Sequence, residues 1–81
     1  MTINIDTQAG AAYIRLKEGK VRKTKEILPE VFVDYNHKNE ILGVELVSPC
    51  VITLRKVARQ LHLPLLNRIR QPLEELCHKL N

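Results

Sequence analysis

Residues 31–47 read VFVDYNHKNEILGVELV, and this stretch decides the fold. It holds two apolar runs, Val31 to Tyr35 and Ile41 to Val47, and both are rich in the β-branched and aromatic residues that favour strands. Between them lies the polar segment Asn36-His37-Lys38-Asn39, which is typical of a tight turn. The stretch therefore predicts two antiparallel strands joined as a hairpin.

The residues before this stretch predict further strands. Apolar and more polar side chains alternate from Ala12 to Lys17, the pattern of a strand with one buried face. The segment 21–28 carries Lys23 and Lys25, which discourage pairing between sheet edges, so we place it at an edge. Because every connection is short, we expect the four or five strands to follow chain order as an antiparallel meander.

A single glycine, Gly43, lies within one of these predicted strands. Glycine offers no side chain to pack, and inside a strand it often marks a bulge or a place where another group approaches the backbone closely. We therefore expect either a bulge at Gly43 or a close approach by a helix or another subunit.

The sequence after residue 50 changes period. Apolar residues recur at the helical spacing from Leu54 to Leu61, with basic residues on the opposite face. Thr53 is the predicted N-cap, Ile52 and Val57 could form an apolar staple, and Pro64 marks the end. Arg55 and Lys56 would then lie in the first helical turn, where the helix dipole penalises cations and an anion would be attracted.

A second helix is predicted from Pro72, which is a favourable first helical residue. The alternative is one kinked helix that starts earlier and contains Pro72. An apolar stripe along this region predicts contacts between copies of the chain, and its members are Leu66, Ile69, Leu73, Leu76 and Leu80. The fold class is therefore α+β, with an antiparallel sheet and two C-terminal helices packed on it.

The 81 residues are expected to form a single domain, 1–81, with a sheet part at 1–48 and a helical extension at 49–81. Its longest uncharged apolar stretch is too short to span a membrane. No basic leader and apolar run is recognisable. We therefore expect a cytoplasmic protein that does not act at a membrane.

Charge is unevenly distributed. Residues 1–52 hold seven Lys or Arg against seven Asp or Glu, whereas residues 53–81 hold six against two. Because a cationic segment attracts anionic partners, the basic region 53–71 predicts candidate anion or nucleic-acid contacts at Arg55, Lys56, Arg59, Arg68 and Arg70. The opposite interpretation is a solvated helix face.

The helix also resembles the first helix of a helix-turn-helix DNA-binding motif, but His62 replaces the glycine of the turn and Pro72 shortens the second helix.

The first half resembles the prokaryotic domain-of-unknown-function family numbered 2283. The resemblance covers residues 3–47 and rests on four segments, Asp6-Thr7-Gln8-Ala9, Ala11 to Leu16, Val31 to Asn36 and Leu42 to Leu46. It implies a small β-rich fold, often with a helical extension, without an established activity. Some members are encoded beside small toxins, which implies an antitoxin-like role by analogy. The chain departs from the family pattern at Gly10 and Asn36, where an acid is usual, and at Asn39, where glycine is usual.

Catalytic and metal-binding motifs are absent from the sequence: it has no phosphate loop, no HExxH and no GxSxG. Asp6 is expected to cap a turn, Asp34 to face solvent and His37 to belong to a turn. Cys50 and Cys77 form no CxxC pair and are expected to be buried thiols, although a dyad of one of them with a histidine stays an open alternative. We expect no enzyme, no metal and no cofactor.

The resulting functional hypothesis is a non-enzymatic protein-interaction module that forms homo-oligomers and binds a protein partner. The alternative is a nucleic-acid-binding protein that uses the basic region. The three aromatic residues, Tyr13, Phe32 and Tyr35, all fall in the predicted strands, so no stacking surface for single-stranded nucleic acid accompanies the basic residues.

Overall fold

The computed structural model describes residues 1–47 and 51–63 of the chain. In these ranges it contains five strands and one helix, namely β1 (Thr2–Asp6), β2 (Ala11–Arg15), β3 (Lys23–Leu28), β4 (Val31–Tyr35), β5 (Ile41–Val47) and α1 (Val51–Gln60). The five strands form one antiparallel sheet, which confirms the predicted antiparallel sheet. The hairpin from residue 31 to 47 has the predicted bounds.

The strand order is β1-β2-β5-β4-β3, so the predicted meander is wrong. After β2 the chain crosses the end of the sheet and returns through β3 and β4 to place β5 beside β2, an order of the Greek-key type. Hydrogen bonds anchor the crossing at both ends, from the Leu16 N–H to the Leu42 carbonyl (2.8 Å) and from the Arg22 N–H to the Tyr35 carbonyl (2.7 Å).

Burial explains this order. In β5, Leu42, Val44 and Leu46 are completely buried, whereas Lys23 and Lys25 of β3 are exposed. A strand in the middle of a sheet has neighbours on both sides, so placing the most apolar strand there removes more apolar surface from water. The basic strand takes the edge, as its lysines predicted.

One face of the sheet carries the hydrophobic core. Ile14, Val33 and Val44 from three strands are fully buried, and Val57 and Ala58 of α1 join the same cluster. Burying a side chain of this size contributes roughly 1.5–3 kcal/mol. The helix therefore covers this face, and functional residues on the sheet must be sought on the opposite face or at the edges.

The bounds of α1 correct several predictions. The helix begins at Val51, so Thr53 lies inside it and is not the N-cap, and the staple based on that cap is wrong as well. Arg55 and Lys56 are the fifth and sixth helical residues, which places them beyond the first turn. The dipole penalty and the anion attraction expected for that turn therefore do not apply to them.

The helix ends at Gln60 with a Schellman cap, and Pro64, predicted to mark its end, lies outside the described residues. His62 adopts a left-handed conformation with φ of 57°, its N–H donates to the Arg59 carbonyl (3.3 Å), and the Leu63 N–H donates to the Ala58 carbonyl (2.8 Å). These are the two bonds of the motif. Leu63 also packs against the core, which is the apolar contact that usually accompanies it.

The predicted second helix from Pro72, and its alternative as one kinked helix, lie outside the described residues. Within residues 1–47 and 51–63, α1 is the single helix, so two helices packed on the sheet are not supported. No helix in that part of the chain is long and apolar enough to cross a membrane.

Candidate functional site

The sheet face opposite α1 gathers polar and aromatic side chains from four strands. Register places Tyr13 beside Glu45, and Glu45 beside Phe32. In the adjacent row, Gly43 pairs with both Arg15 and Asp34. Because neighbouring residues of a strand point to opposite faces, these side chains lie on the side away from the core. We call this side the open face.

Three side chains of the open face form a hydrogen-bonded cluster. The Tyr13 hydroxyl donates to Asp34 Oδ2 (2.7 Å), and the Thr24 hydroxyl donates to Asp34 Oδ1 (2.5 Å). The Asp34 side chain points to the face opposite that of buried Val33, as expected. It is only half-exposed, however, and both of its carboxylate oxygens accept a hydrogen bond. The cluster therefore ties β2, β3 and β4 together across the sheet.

Gly43 of β5 makes this cluster possible. Tyr13 and Asp34 are on strands that both neighbour β5, so the tyrosine ring must cross β5 to reach the carboxylate. A Cβ atom at Gly43 would overlap the Tyr13 hydroxyl and lie 2.8 Å from the ring Cε1. A close approach at Gly43 is therefore found, but the approaching group is the Tyr13 side chain of the neighbouring strand and not the predicted helix or second subunit. The pairing of β4 with β5 is irregular immediately beside this position, between Asp34 and Tyr35.

The environment of Tyr13 holds its hydroxyl in the protonated form. Burial, and next the hydrogen bond to Asp34, raise its pKa from 10.0 to about 12, although nearby Arg15 acts in the opposite direction. The guanidinium of Arg15 lies 5.6 Å from the centre of the Tyr13 ring, within cation–π distance. At neutral pH the tyrosine is therefore a hydrogen-bond donor and a poor nucleophile or base.

A shallow cavity of about 280 Å³ opens beside the cluster, lined by Tyr13, Thr24, Phe32, Asp34 and Glu45. Its walls combine two aromatic rings with two carboxylates, and Glu45 is exposed. Such a lining suits contact with a polar or cationic side chain.

The titration of Tyr13 tests this geometry. Tyr35→Phe leaves Tyr13 as the single tyrosine of the chain, and we expect its tyrosinate absorbance to appear near pH 12. Because the folded pKa is raised, the associated stability is complete below pH 10 and is lost as the pH rises from 10 to 12. Adding Asp34→Asn should lower the pKa but keep it above 10, since burial contributes most. An unchanged pKa in that double variant would contradict the contact.

The predicted anion contacts divide between described and undescribed residues. Arg55, Lys56 and Arg59 are exposed on α1, and the described part of the chain shows no ion pair to any of them. The remaining predicted contacts, Arg68 and Arg70, lie outside the described residues. So does the whole predicted oligomer stripe of Leu66, Ile69, Leu73, Leu76 and Leu80.

The other candidate residues behave as turn residues. Asp6 Oδ1 accepts the N–H groups of Gln8 and Ala9, both at 3.0 Å, which confirms its capping role. His37 is exposed in the turn between β4 and β5. No group of three or more His, Cys, Asp or Glu residues capable of holding a metal occurs among residues 1–47 and 51–63. Cys50 and Cys77 are not described.

Sequence reasoning missed the cluster and also a second network, at the β4–β5 turn. Asn36 is buried, its Nδ2 donates to Glu40 Oε1 (2.9 Å), and Lys17 Nζ donates to Glu40 Oε2 (2.5 Å). These two bonds, that of Lys17 first, lower the pKa of Glu40. Gly43 was the one signal of the cluster in the sequence, whereas nothing in the sequence indicated that Asn36 would be buried.

Comparison with protein families matches residues 2–48 with the family described as "Protein of unknown function (DUF2283)". The matched range contains all five strands and ends before α1. No curated protein and no solved structure matches the chain. The match therefore concerns the sheet, including the open face and its cluster.

Proposed function

The chain belongs to the DUF2283 family of proteins of unknown function, and we propose that it works as a small non-enzymatic protein-interaction module that self-associates. The observation that carries this proposal is the unequal covering of the sheet. On the side of α1, Ile14, Val33 and Val44 have no exposed surface, whereas on the open face Tyr13 and Phe32 stay partly exposed. Partly exposed aromatic residues are typical of protein interfaces.

The chemistry of the open face supports a binding role. A general base needs a free lone pair aimed at a substrate, and a nucleophile needs an activating neighbour. Asp34 already accepts one hydroxyl on each oxygen, and the Tyr13 pKa is raised to about 12. The cluster is therefore best suited to fixing the shape of the face.

The partner proposed for this face is another protein, and an antitoxin-like role is one form of such binding. The lining of the cavity, with Asp34 and Glu45 beside Tyr13 and Phe32, is complementary to a basic or polar side chain framed by apolar surface. Aromatic residues and hydrogen-bonded polar groups of this kind often anchor interfaces.

A second candidate function is nucleic-acid binding through α1. It is favoured by the three exposed cations Arg55, Lys56 and Arg59, since α1 contains no acidic residue. Such cations would neutralise phosphates and make binding strongly dependent on salt. This function uses a different surface from the open face, so the two can be tested separately.

Capture from the native cell tests both candidates at once. The tagged chain, a Glu45→Lys variant and an Arg55→Gln/Arg59→Gln variant are purified at physiological salt, and bound protein and nucleic acid are measured. We expect a stoichiometric protein that Glu45→Lys loses and the arginine variant retains, because Glu45 lines the cavity.

The contrary result is nucleic acid bound by the unaltered chain and released by the arginine variant, which would favour the second function. A protein captured equally by all three baits would place the interface elsewhere. Circular dichroism serves as the control for folding, since Glu45, Arg55 and Arg59 are all exposed and their exchange should leave stability within about 0.5 kcal/mol.

A further inference from the structure

The two edges of the sheet are built differently. β3 forms one edge and carries exposed Lys23 and Lys25, with a register irregularity between Glu26 and Leu28. Charges and irregularities of this kind prevent another strand from adding to an edge. β1 forms the other edge, pairs with β2 without any register shift, and has a single charged residue, Asp6.

The hydrogen-bonding pattern shows which backbone groups of β1 face outwards. The Leu16 N–H donates to the Leu42 carbonyl, and hydrogen-bonded and non-bonded pairs alternate along antiparallel strands. Counting back along β2 from Leu16, Ile14 bonds to β5 and Tyr13 bonds to β1. Asn4, the partner of Tyr13, therefore faces β2.

The N–H and carbonyl groups of Ile3 and Ile5 then point away from the sheet, and no described residue pairs with these backbone groups. Their side chains lie on the core side, where Ile3 packs partly against the core and Ile5 is 39% exposed. Among residues 1–47 and 51–63, the edge thus combines unpaired backbone groups with an exposed isoleucine, the arrangement to which another strand can add.

We propose that β1 pairs antiparallel with β1 of a second copy of the chain, in the register centred on Asn4. This inference rests on the proposed self-association and identifies its surface. Ile3 of each copy then stands opposite Ile5 of the other, and their outward N–H and carbonyl groups form four hydrogen bonds. The exposed Ile5 side chain becomes covered by an isoleucine.

The same register is compatible in charge. Asn4 meets Asn4 of the second copy, and Thr2 meets Asp6, so no like charges are opposed. Pairing of β3 with β3 of a second copy would instead oppose like charges. Registers centred on residues 24 and 25 oppose lysines, and the register centred on residue 26 opposes two Glu26 residues. Like charges directly opposite one another are destabilising, so β1 is the edge suited to a copy of itself.

The proposed pairing is symmetric. Antiparallel pairing of one strand with its own copy creates a two-fold axis, and the interface is then closed. The axis runs perpendicular to the sheet, so the core sides of both copies face the same way and the isoleucines meet on that side. The result is a closed dimer with one continuous sheet, flanked at both ends by the protected strand β3.

Residue-resolved amide hydrogen exchange tests the pairing in the unaltered protein. In the dimer, the N–H groups of Ile3 and Ile5 should exchange at least about tenfold more slowly than in the monomer reached on dilution. The Asn4 N–H should stay protected in both states because it bonds to β2. Light scattering at each concentration reports the oligomeric state.

Two matched variants accompany this measurement. Ile5→Lys introduces a charge on the β1 edge and should yield a folded monomer, whereas Glu26→Lys introduces a lysine on the β3 edge and should leave the dimer intact. If Ile5→Lys does not fold, the exchange pattern of the unaltered chain decides.

The outcomes separate the two levels of the proposal. A monomer at high micromolar concentration would overturn both the self-association and the β1 pairing. A dimer in which the amides of Ile3 and Ile5 exchange rapidly would overturn the β1 pairing alone and place the interface elsewhere. Species that grow beyond a dimer with concentration would contradict the closed symmetry.

Discussion

Gly43→Ala is expected to destabilise the protein by about 2–4 kcal/mol, an unusually large effect for the addition of one methyl group. The new Cβ would overlap the Tyr13 hydroxyl and crowd the ring, so the ring must leave its place above β5. Its hydrogen bond to Asp34 would be lost with it. For a domain whose total stability is of the order of 5–15 kcal/mol, this is a substantial part.

The effect should reverse when the ring is removed. Glycine in a strand loses more backbone freedom on folding than alanine, so Gly→Ala stabilises by about 0.4–1 kcal/mol where no clash exists. In a Tyr13→Val background, which removes the ring but places another strand-favouring residue in β2, Gly43→Ala should therefore be neutral or stabilising. The four proteins form a double-mutant cycle, measured by urea unfolding.

A cost of Gly43→Ala that is the same in both backgrounds would contradict this account. It would mean that the glycine is needed for the backbone of β5 and not for the tyrosine. If the cost of Gly43→Ala depends on Tyr13, this variant can also be used in the capture experiment. It would displace Tyr13 from the open face while leaving Glu45 in place.

The hairpin of β4 and β5 could be predicted from the sequence because its signals are local. Two runs of strand-forming residues flank a polar turn, and neither depends on the rest of the chain. The first residue of α1 was harder to predict from the sequence. Thr53 has the chemistry of an N-cap, but the helix begins at Val51. The extra residues precede the apolar periodicity from which the helix was inferred.

The strand order could not be predicted in the same way. Chain order is the economical assumption, but here β5, whose Leu42, Val44 and Leu46 are completely buried, is the last strand in sequence and the central strand of the sheet. In a meander, β3 would lie between β2 and β4, and β3 has no glycine over which the Tyr13 ring could pass. The Tyr13–Asp34 contact joins residues that are 21 positions apart in the sequence. It can therefore be predicted only when β5 is known to lie between the two strands.

The departures from the family pattern also acquire a physical meaning. Asn39, where the resemblance implies glycine, has φ of 62°, and Gly10, where the resemblance implies an acid, has φ of 65°. Glycine and asparagine are the residues that adopt this left-handed conformation most readily. Both positions thus keep the backbone geometry of a turn. The third departure, Asn36, concerns hydrogen bonding and leads to the second large effect.

Asn36→Ala is expected to cost about 2–3 kcal/mol. Asn36 is 8% exposed, and its Oδ1 accepts the N–H groups of Lys38 (2.9 Å) and Glu40 (3.0 Å). Its Nδ2 donates to the Glu40 carboxylate. Alanine removes all three bonds from the turn that sets the register of β4 and β5, and chemical unfolding measures the loss.

Asn36→Asp, which introduces the acid that the resemblance implies at this position, separates the two halves of this network. The carboxylate keeps the acceptor for both backbone N–H groups but faces the Glu40 carboxylate without the donor. In the unaltered chain the folded pKa of Glu40 is lowered, so its stability is present above the unfolded pKa and is lost on acidification. In Asn36→Asp the carboxylate pair should have a raised pKa, so acidification should relieve the repulsion.

The two proteins should therefore differ most in stability near neutral pH and converge at acidic pH. Adding Glu40→Gln to Asn36→Asp restores a donor opposite the carboxylate and should recover most of the loss at neutral pH, although the contact of Lys17 with residue 40 loses its charge partner. Unfolding at a series of pH values measures all three proteins. If Asn36→Asp were as stable as the unaltered chain at neutral pH, the amide donor would not be holding the turn, and the two backbone N–H bonds would account for the role of Asn36.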